Sequence, residues 1–183
     1  MGATTFSTYA DGPDPSAAFN DARDAAAHEH GHRYSGTIAD KDGYIVVTRR
    51  LMDPDQAEHL AADLIDRDDP RIADKWGPAG AIPIRQPTRT VTIDRLTGTL
   101  TDTSTGRTLS EPALRRLTDI ARHRDLLTDG ETVTAGRLRD WRRTGSGNRY
   151  SAGVADLTVT RSPADLHAQS TPDGWLFFGW AST

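Results

Sequence analysis

His28-Glu29-His30-Gly31-His32 is the stretch whose residue types and spacing match a catalytic motif. It satisfies H-E-x-x-H. On a continuous helix, His28 and His32 stand one turn apart and could share a zinc ion, with Glu29 activating a metal-bound water. Glu58, in the next helical stretch, is the third ligand that a gluzincin-type site would draw on. Three features argue against this chemistry. In zincins the helix continues past the second His, whereas here Arg33-Tyr34-Ser35-Gly36 leads at once into an apparent strand. The downstream Gly and His of the longer metzincin motif are missing. An apparent hairpin lies between the motif and Glu58, where gluzincins place helix. The reading adopted is a polar helix end, its imidazoles meeting exposed carbonyls and the negative end of the helix dipole. No catalytic residue, metal or cofactor is therefore expected. The alternative is a zinc-dependent hydrolase with His28, His32 and Glu58 as ligands and Glu29 as base.

Arginine supplies the second candidate chemistry. Arg115, Arg116, Arg122, Arg124, Arg137, Arg139, Arg142 and Arg143 crowd one stretch, followed by Arg149-Tyr150. Guanidinium groups grip phosphate, and Trp141 or Tyr150 could stack on a base. Asp119, Asp125 and Asp140 lie among them, and the pI of about 5.8 is below the basic values of nucleic-acid modules. A solvated helical face is the plainer account. The residues expected to meet a macromolecular partner are Arg137, Arg139, Trp141, Arg142, Arg143 and Arg149, with nucleic acid as the alternative partner.

Gly31, His32, Tyr34, Gly36, Thr37, Ile38 and Lys41 form the densest group of special residue types. His32, Tyr34 and Lys41 could line a pocket. The structural reading is preferred: Gly31 ends a helix, Gly36 relieves crowding in a strand, and Tyr34 packs. Gly145-Ser146-Gly147 lacks the P-loop lysine, and no G-x-S-x-G elbow occurs.

The elements that position these residues follow from punctuation and periodicity. Thr4 to Ala10 alternates as a strand. Asp14-Pro15 opens a helix carrying Ala18, Phe19, Ala22, Ala25 and Ala26, and Gly31 stops it. Tyr34 to Ala39 and Tyr44 to Arg50 read as a hairpin around Asp40-Lys41-Asp42-Gly43. Asp53-Pro54 opens a second helix with Ala57, Leu60, Ala61, Leu64 and Ile65 on one face, and Ala79 to Arg85 is a strand. Strand, helix, strand, strand, helix, strand is the ferredoxin-like split βαβ order.

From Pro87 the texture changes. Arg89 to Leu96 and Thr99 to Thr103 suggest a hairpin, and Ser110-Glu111-Pro112 starts a helix. A shorter helix is expected over Ala135 to Arg143, and Val154 to Thr160 alternates as a strand. Ser162 to Pro172 reads as polar connector. The chain then reaches its most apolar hexamer, Trp175-Leu176-Phe177-Phe178-Gly179-Trp180, the pattern of a buried strand. The expectation is an α+β core, 1–86 plus 172–183, closed by this strand and interrupted by an Arg-rich α+β insertion, 87–171. Basic and acidic residues number 9 against 15 in 1–86 and 12 against 9 in 87–160.

Composition bounds the rest. The 183 residues are 36% hydrophobic and 26% charged, with net charge −4, which suits a folded chain. There are no cysteines, so thiolate catalysis, disulfides and Cys-based zinc sites are excluded. No apolar run reaches the length of a membrane span, and no signal-peptide pattern opens the chain. A soluble, cytoplasmic protein without a membrane partner is expected.

Gly31-His32-Arg33-Tyr34-Ser35-Gly36-Thr37-Ile38-Ala39-Asp40-Lys41, Asp74-Lys75-Trp76-Gly77-Pro78-Ala79-Gly80-Ala81-Ile82 and Trp175-Leu176-Phe177-Phe178-Gly179-Trp180-Ala181-Ser182 together resemble a set of small uncharacterised proteins of bacteriophages and actinobacterial genomes. Tyr commonly stands at the position of His28 in that set. The resemblance covers the core alone and implies closure by the C-terminal strand; it carries no activity. The reading reached from sequence is a non-enzymatic binding or accessory protein, of phage or mobile-element type, that recognises its partner through the insertion.

Overall fold

The aromatic run at 175–180 lies in the interior of a sheet. The computed structural model describes residues 2–31, 34–97, 100–101, 109–139, 142–143, 149–151 and 153–183, with the backbone alone at 100, 101, 149 and 150. The chain is a mixed α+β protein with open sheets. It divides into two compact units, Met1–Gln86 with Gln169–Thr183, and Pro87–Ala168.

In chain order, the first unit holds β1 (Ala3–Asp11), α1 (Pro15–His30), a 3-10 turn (Ile38–Asp40), β2 (Tyr44–Val46), α2 (Pro54–Asp66) and β3 (Ala79–Ile84). The second holds β4 (Thr88–Ile93), β5 (Leu100–Thr101), α3 (Glu111–His123), β6 (Thr132–Arg139), β7 (Arg142–Arg143), β8 (Arg149–Ser151), β9 (Val154–Thr160) and α4 (Pro163–Ala168). The chain then returns to the first unit as β10 (Gly174–Ser182).

The first-unit sheet has the order β1-β10-β3-β2. β10 runs antiparallel to both neighbours, while β2 and β3 are parallel and joined through α2. Period-2 alternation gives β10 two apolar faces. Trp175, Phe177 and Ala181 pack with Ala18, Phe19 and Ala22 of α1. Leu176 and Phe178 pack with Ala57 and Ala61 of α2. The two helices therefore cover opposite faces of one sheet. Each begins with the same local chemistry: Asp14 accepts from the Ala17 N–H at 2.8 Å, Asp53 accepts from the Gln56 N–H at 2.9 Å, and a proline follows each cap. Gly80 lets the Phe178 ring lie on the strand backbone, since a Cβ there would stand 2.5 Å from the ring.

Residues 34–39 are not a strand. They form bends and the 3-10 turn, because local side-chain bonds outcompete a sheet ladder. The Asp40 carboxylate accepts from the Ser35 and Gly36 N–H groups at 3.1 and 3.3 Å, and Thr37 Oγ1 accepts from the Ala39 N–H. Gly36 is needed for its φ of 70° and for space, since a Cβ would meet Thr4 Cγ2 at 2.8 Å; strand crowding is not the reason. The expected hairpin around 40–43 is thus absent. The ferredoxin-like order depended on that hairpin, and the strands form the mixed order above in its place.

The second unit is built on the antiparallel sheet β4-β9-β6. One face carries Val91, Ile93, Leu138, Ala155, Leu157 and Val159, which α3 covers with Leu117 and Ala121. A small sheet, β5-β8-β7, accompanies it. Two expectations are corrected here. Residues 135–139 are strand, not helix: Thr132, Val133 and Thr134 favour extended backbone, and a bulge between Val133 and Ala135 hides the period-2 pattern. β4 pairs with β9 and β5 with β8, so the 89–96/99–103 hairpin does not form between described strands; 98, 99, 102 and 103 lie outside the described residues. The short helix α4 occupies part of the expected connector. Among the described residues no helix is long and apolar enough to cross a membrane.

Candidate functional site

The H-E-x-x-H motif straddles a helix end. His28, Glu29 and His30 are the exposed last turn of α1, and Gly31 caps it with φ 89° and an N–H bond to the Ala27 carbonyl at 3.0 Å. His32 lies outside the described residues. Glu29 stands 3.7 Å from the His30 imidazole, an ion pair when that ring is protonated. Glu58 is exposed on α2, across the sheet from α1, so the structure does not bring it to His28, whereas a zinc–ligand bond spans about 2 Å. Among the described residues no three His, Asp or Glu side chains are grouped as metal ligands.

The three segments that carry the sequence resemblance meet in the first unit. Lys41 is buried, and its ammonium donates to the carbonyls of Asp74, Lys75 and Gly77 at 3.4, 3.0 and 3.0 Å. Three protons on three acceptors leave it none to offer a ligand. Burial lowers its pKa, and Asp74 and Asp40 oppose that shift. Asp40 also receives Ser182 Oγ at 3.4 Å, and the Gly36 N–H reaches the Ser182 carbonyl, tying in the C-terminal segment. These bonds hold Tyr34 edge-on to Trp76, centroids 6.0 Å apart, with both rings half exposed. Lys41 is therefore a clamp that shapes the loops and does not line a pocket.

The second unit holds the other set. Residues 137 and 139 are two apart on β6 and so share the sheet face that α3 leaves open. Across that face the ladder aligns Thr92, Asp156 and Arg137 in one row, Thr90, Thr158 and Ala135 in the next, and Thr88, Thr160 and Thr132 in the third. Asp156 is buried at 6% exposure. It accepts from Thr92 Oγ1 at 2.9 Å and from Arg137 Nε at 3.2 Å, while Arg137 Nη2 and Arg139 Nε each form an ion pair with its Oδ2 at 3.2 Å. The two arginine side chains remain 70% and 51% exposed. One buried carboxylate thus fixes two guanidinium groups by their inner edges and leaves net positive charge facing outward. Arg142 and Arg143 are exposed on β7. Trp141 lies outside the described residues, as does the side chain of Arg149.

Arg115 and Arg122 belong to a different place. They line a groove of about 440 Å³ beside α3, together with Glu111, Asp119, Leu114 and Val133, where both signs of charge are present. Sequence reading singled out Arg137 and Arg139 but passed over Asp156. The available signal was a lone carboxylate in the middle of an alternating strand, a position that demands a partner.

Comparison with protein-family models, curated proteins and solved structures finds no match to this chain.

Proposed function

We propose that this chain is a non-enzymatic binding protein whose second unit holds a polyanionic macromolecule, nucleic acid being the chemistry that fits best. The observation that carries the reading is the pair of arginines, Arg137 and Arg139, braced on the buried Asp156 at the edge of an open sheet face. Arg137 meets Asp156 by its Nε–Nη2 edge and keeps its outer Nη1 edge for phosphate oxygens, and pre-setting a guanidinium's rotamer lowers the entropic cost of binding. The adjoining threonine rows add hydroxyl donors of the kind that meet phosphate and sugar. Charge supports the assignment. Residues 87–168 hold 13 basic groups against 10 acidic, net +3, whereas 1–86 with 169–183 hold 9 against 16, net −7. Arg142 and Arg143, with Arg149 and Trp141 beside them in sequence, extend the same contact set.

The test is fluorescence anisotropy with a short labelled DNA duplex and its single strand at low salt. Arg142→Ala/Arg143→Ala should weaken binding about tenfold or more, with at most a small change in Tm because both residues are exposed. Arg137→Ala should weaken binding and also lower Tm slightly, since it removes one partner of a buried carboxylate. Equal stability losses for all these variants, without loss of binding, would make the arginines structural.

A further inference from the structure

β1 is a nine-residue strand at one edge of its sheet. Gly2 and Thr183 exchange N–H···O bonds, and the Gly12 N–H reaches the Asp173 carbonyl at 2.8 Å. The continuous register between these points means that the even-numbered residues of β1 bond to β10. Ala3, Thr5, Ser7, Tyr9 and Asp11 therefore turn their N–H and C=O groups outward, and among the described residues no backbone bond meets them. Edges of this length are ordinarily blunted by lysine, proline or a bulge. The sequence Ala-Thr-Thr-Phe-Ser-Thr-Tyr-Ala-Asp has none of these, and its one charge sits at the end.

We propose that β1 pairs antiparallel with β1 of a second copy about a two-fold axis at Ser7, joining two four-stranded sheets into one. In that register Ser7 faces Ser7, Thr5 faces Tyr9, and Ala3 faces Asp11. All five outward residues of each strand are used, each giving one donor and one acceptor. The side chains match as well. The Tyr9 and Phe6 rings lean inward over Gly174 and Gly179 of β10, so small side chains, Thr5 and Ser7 on one face and Thr8 on the other, line the free edge and let a second strand approach. The two Asp11 carboxylates fall at opposite ends of the ribbon, whereas a parallel in-register pairing would set them side by side.

The covering layer also fits. α1 packs on β1 and β10, so the two copies of α1 would lie about two strand spacings apart, roughly 10 Å, a normal distance for packed helices. This self-complementarity selects a second copy over an unrelated peptide as the occupant.

Sedimentation equilibrium of the full chain over a concentration series should show a monomer–dimer equilibrium. Ser7→Lys places two ammonium groups directly across the axis and should raise the dimer Kd about tenfold or more, with unchanged far-UV circular dichroism. Ser7→Glu should do the same. Mixing the two variants should restore a dimer holding one chain of each. A wild-type chain that stays monomeric at every concentration would overturn the proposal. So would a Ser7→Lys chain that dimerises like wild type, or a mixture that stays dissociated.

Discussion

Glu131 shows how one residue ties electrostatics to stability. Its side chain is buried, and Arg89 Nε and Nη2 donate to its two oxygens at 2.6 Å, with the Thr128 N–H adding a bond at 2.8 Å. The Arg89 guanidinium, more than any other group, holds the carboxyl at about 2 against its usual 4.5. A depressed folded-state pKa gives stability that is fully present above pH 4.5 and drains away as pH falls towards 2. The contribution is about 2 kcal/mol, since Arg89 remains partly exposed to solvent. Thermal melts should therefore show Glu131→Gln less stable at pH 7, with a flatter Tm-against-pH curve between pH 4.5 and 2 than wild type. Parallel curves for the two proteins would show that the pair contributes nothing. Lys41 teaches a related lesson about legibility. Its residue type suggested a pocket, but three carbonyls consume its protons, and those acceptors come from residues more than thirty positions away. No local pattern in the sequence announces such partners.

At the scale of elements, what could be read depended on whether the signal was local. α1 and α2 were legible because Asp14-Pro15 and Asp53-Pro54 state their starts and the alanine stripes state their buried faces. β10 was legible as a buried strand from its unbroken apolar run, although its position between β1 and β3 is set by pairing, which sequence does not display. Residues 34–39 and β6 were misread for physical reasons. Residues 34–39 carry strand-forming types, yet Asp40 draws their N–H groups into a turn. β6 resembled a helix because its bulge breaks the alternation that would have marked it. The central role of β10 makes a quantitative demand. Phe178 is fully buried between α2 and the Gly80 backbone, so Phe178→Ala should cost about 3–5 kcal/mol in urea unfolding. A loss below about 1 kcal/mol would mean that this layer is not the core of the unit.

At the scale of the whole molecule, the chain puts opposite charge in its two units, net −7 in the first and net +3 in the second. The net charge of −4 hides this division, so the overall pI does not report the positive balance of the second unit. Arg137, Arg139, Arg142 and Arg143 were legible as a group; the strand that sets two of them side by side and the carboxylate that braces them were not. The proposed role of these arginines is to meet phosphate. The most direct measurement is the salt dependence of duplex DNA binding by the full chain. Four phosphate contacts predict that log K falls with log salt at a slope of about −3 to −4, and that Arg142→Ala/Arg143→Ala reduces the slope by about two. Absence of binding at low salt, or a slope unchanged in the double variant, would show that these arginines do not meet phosphate.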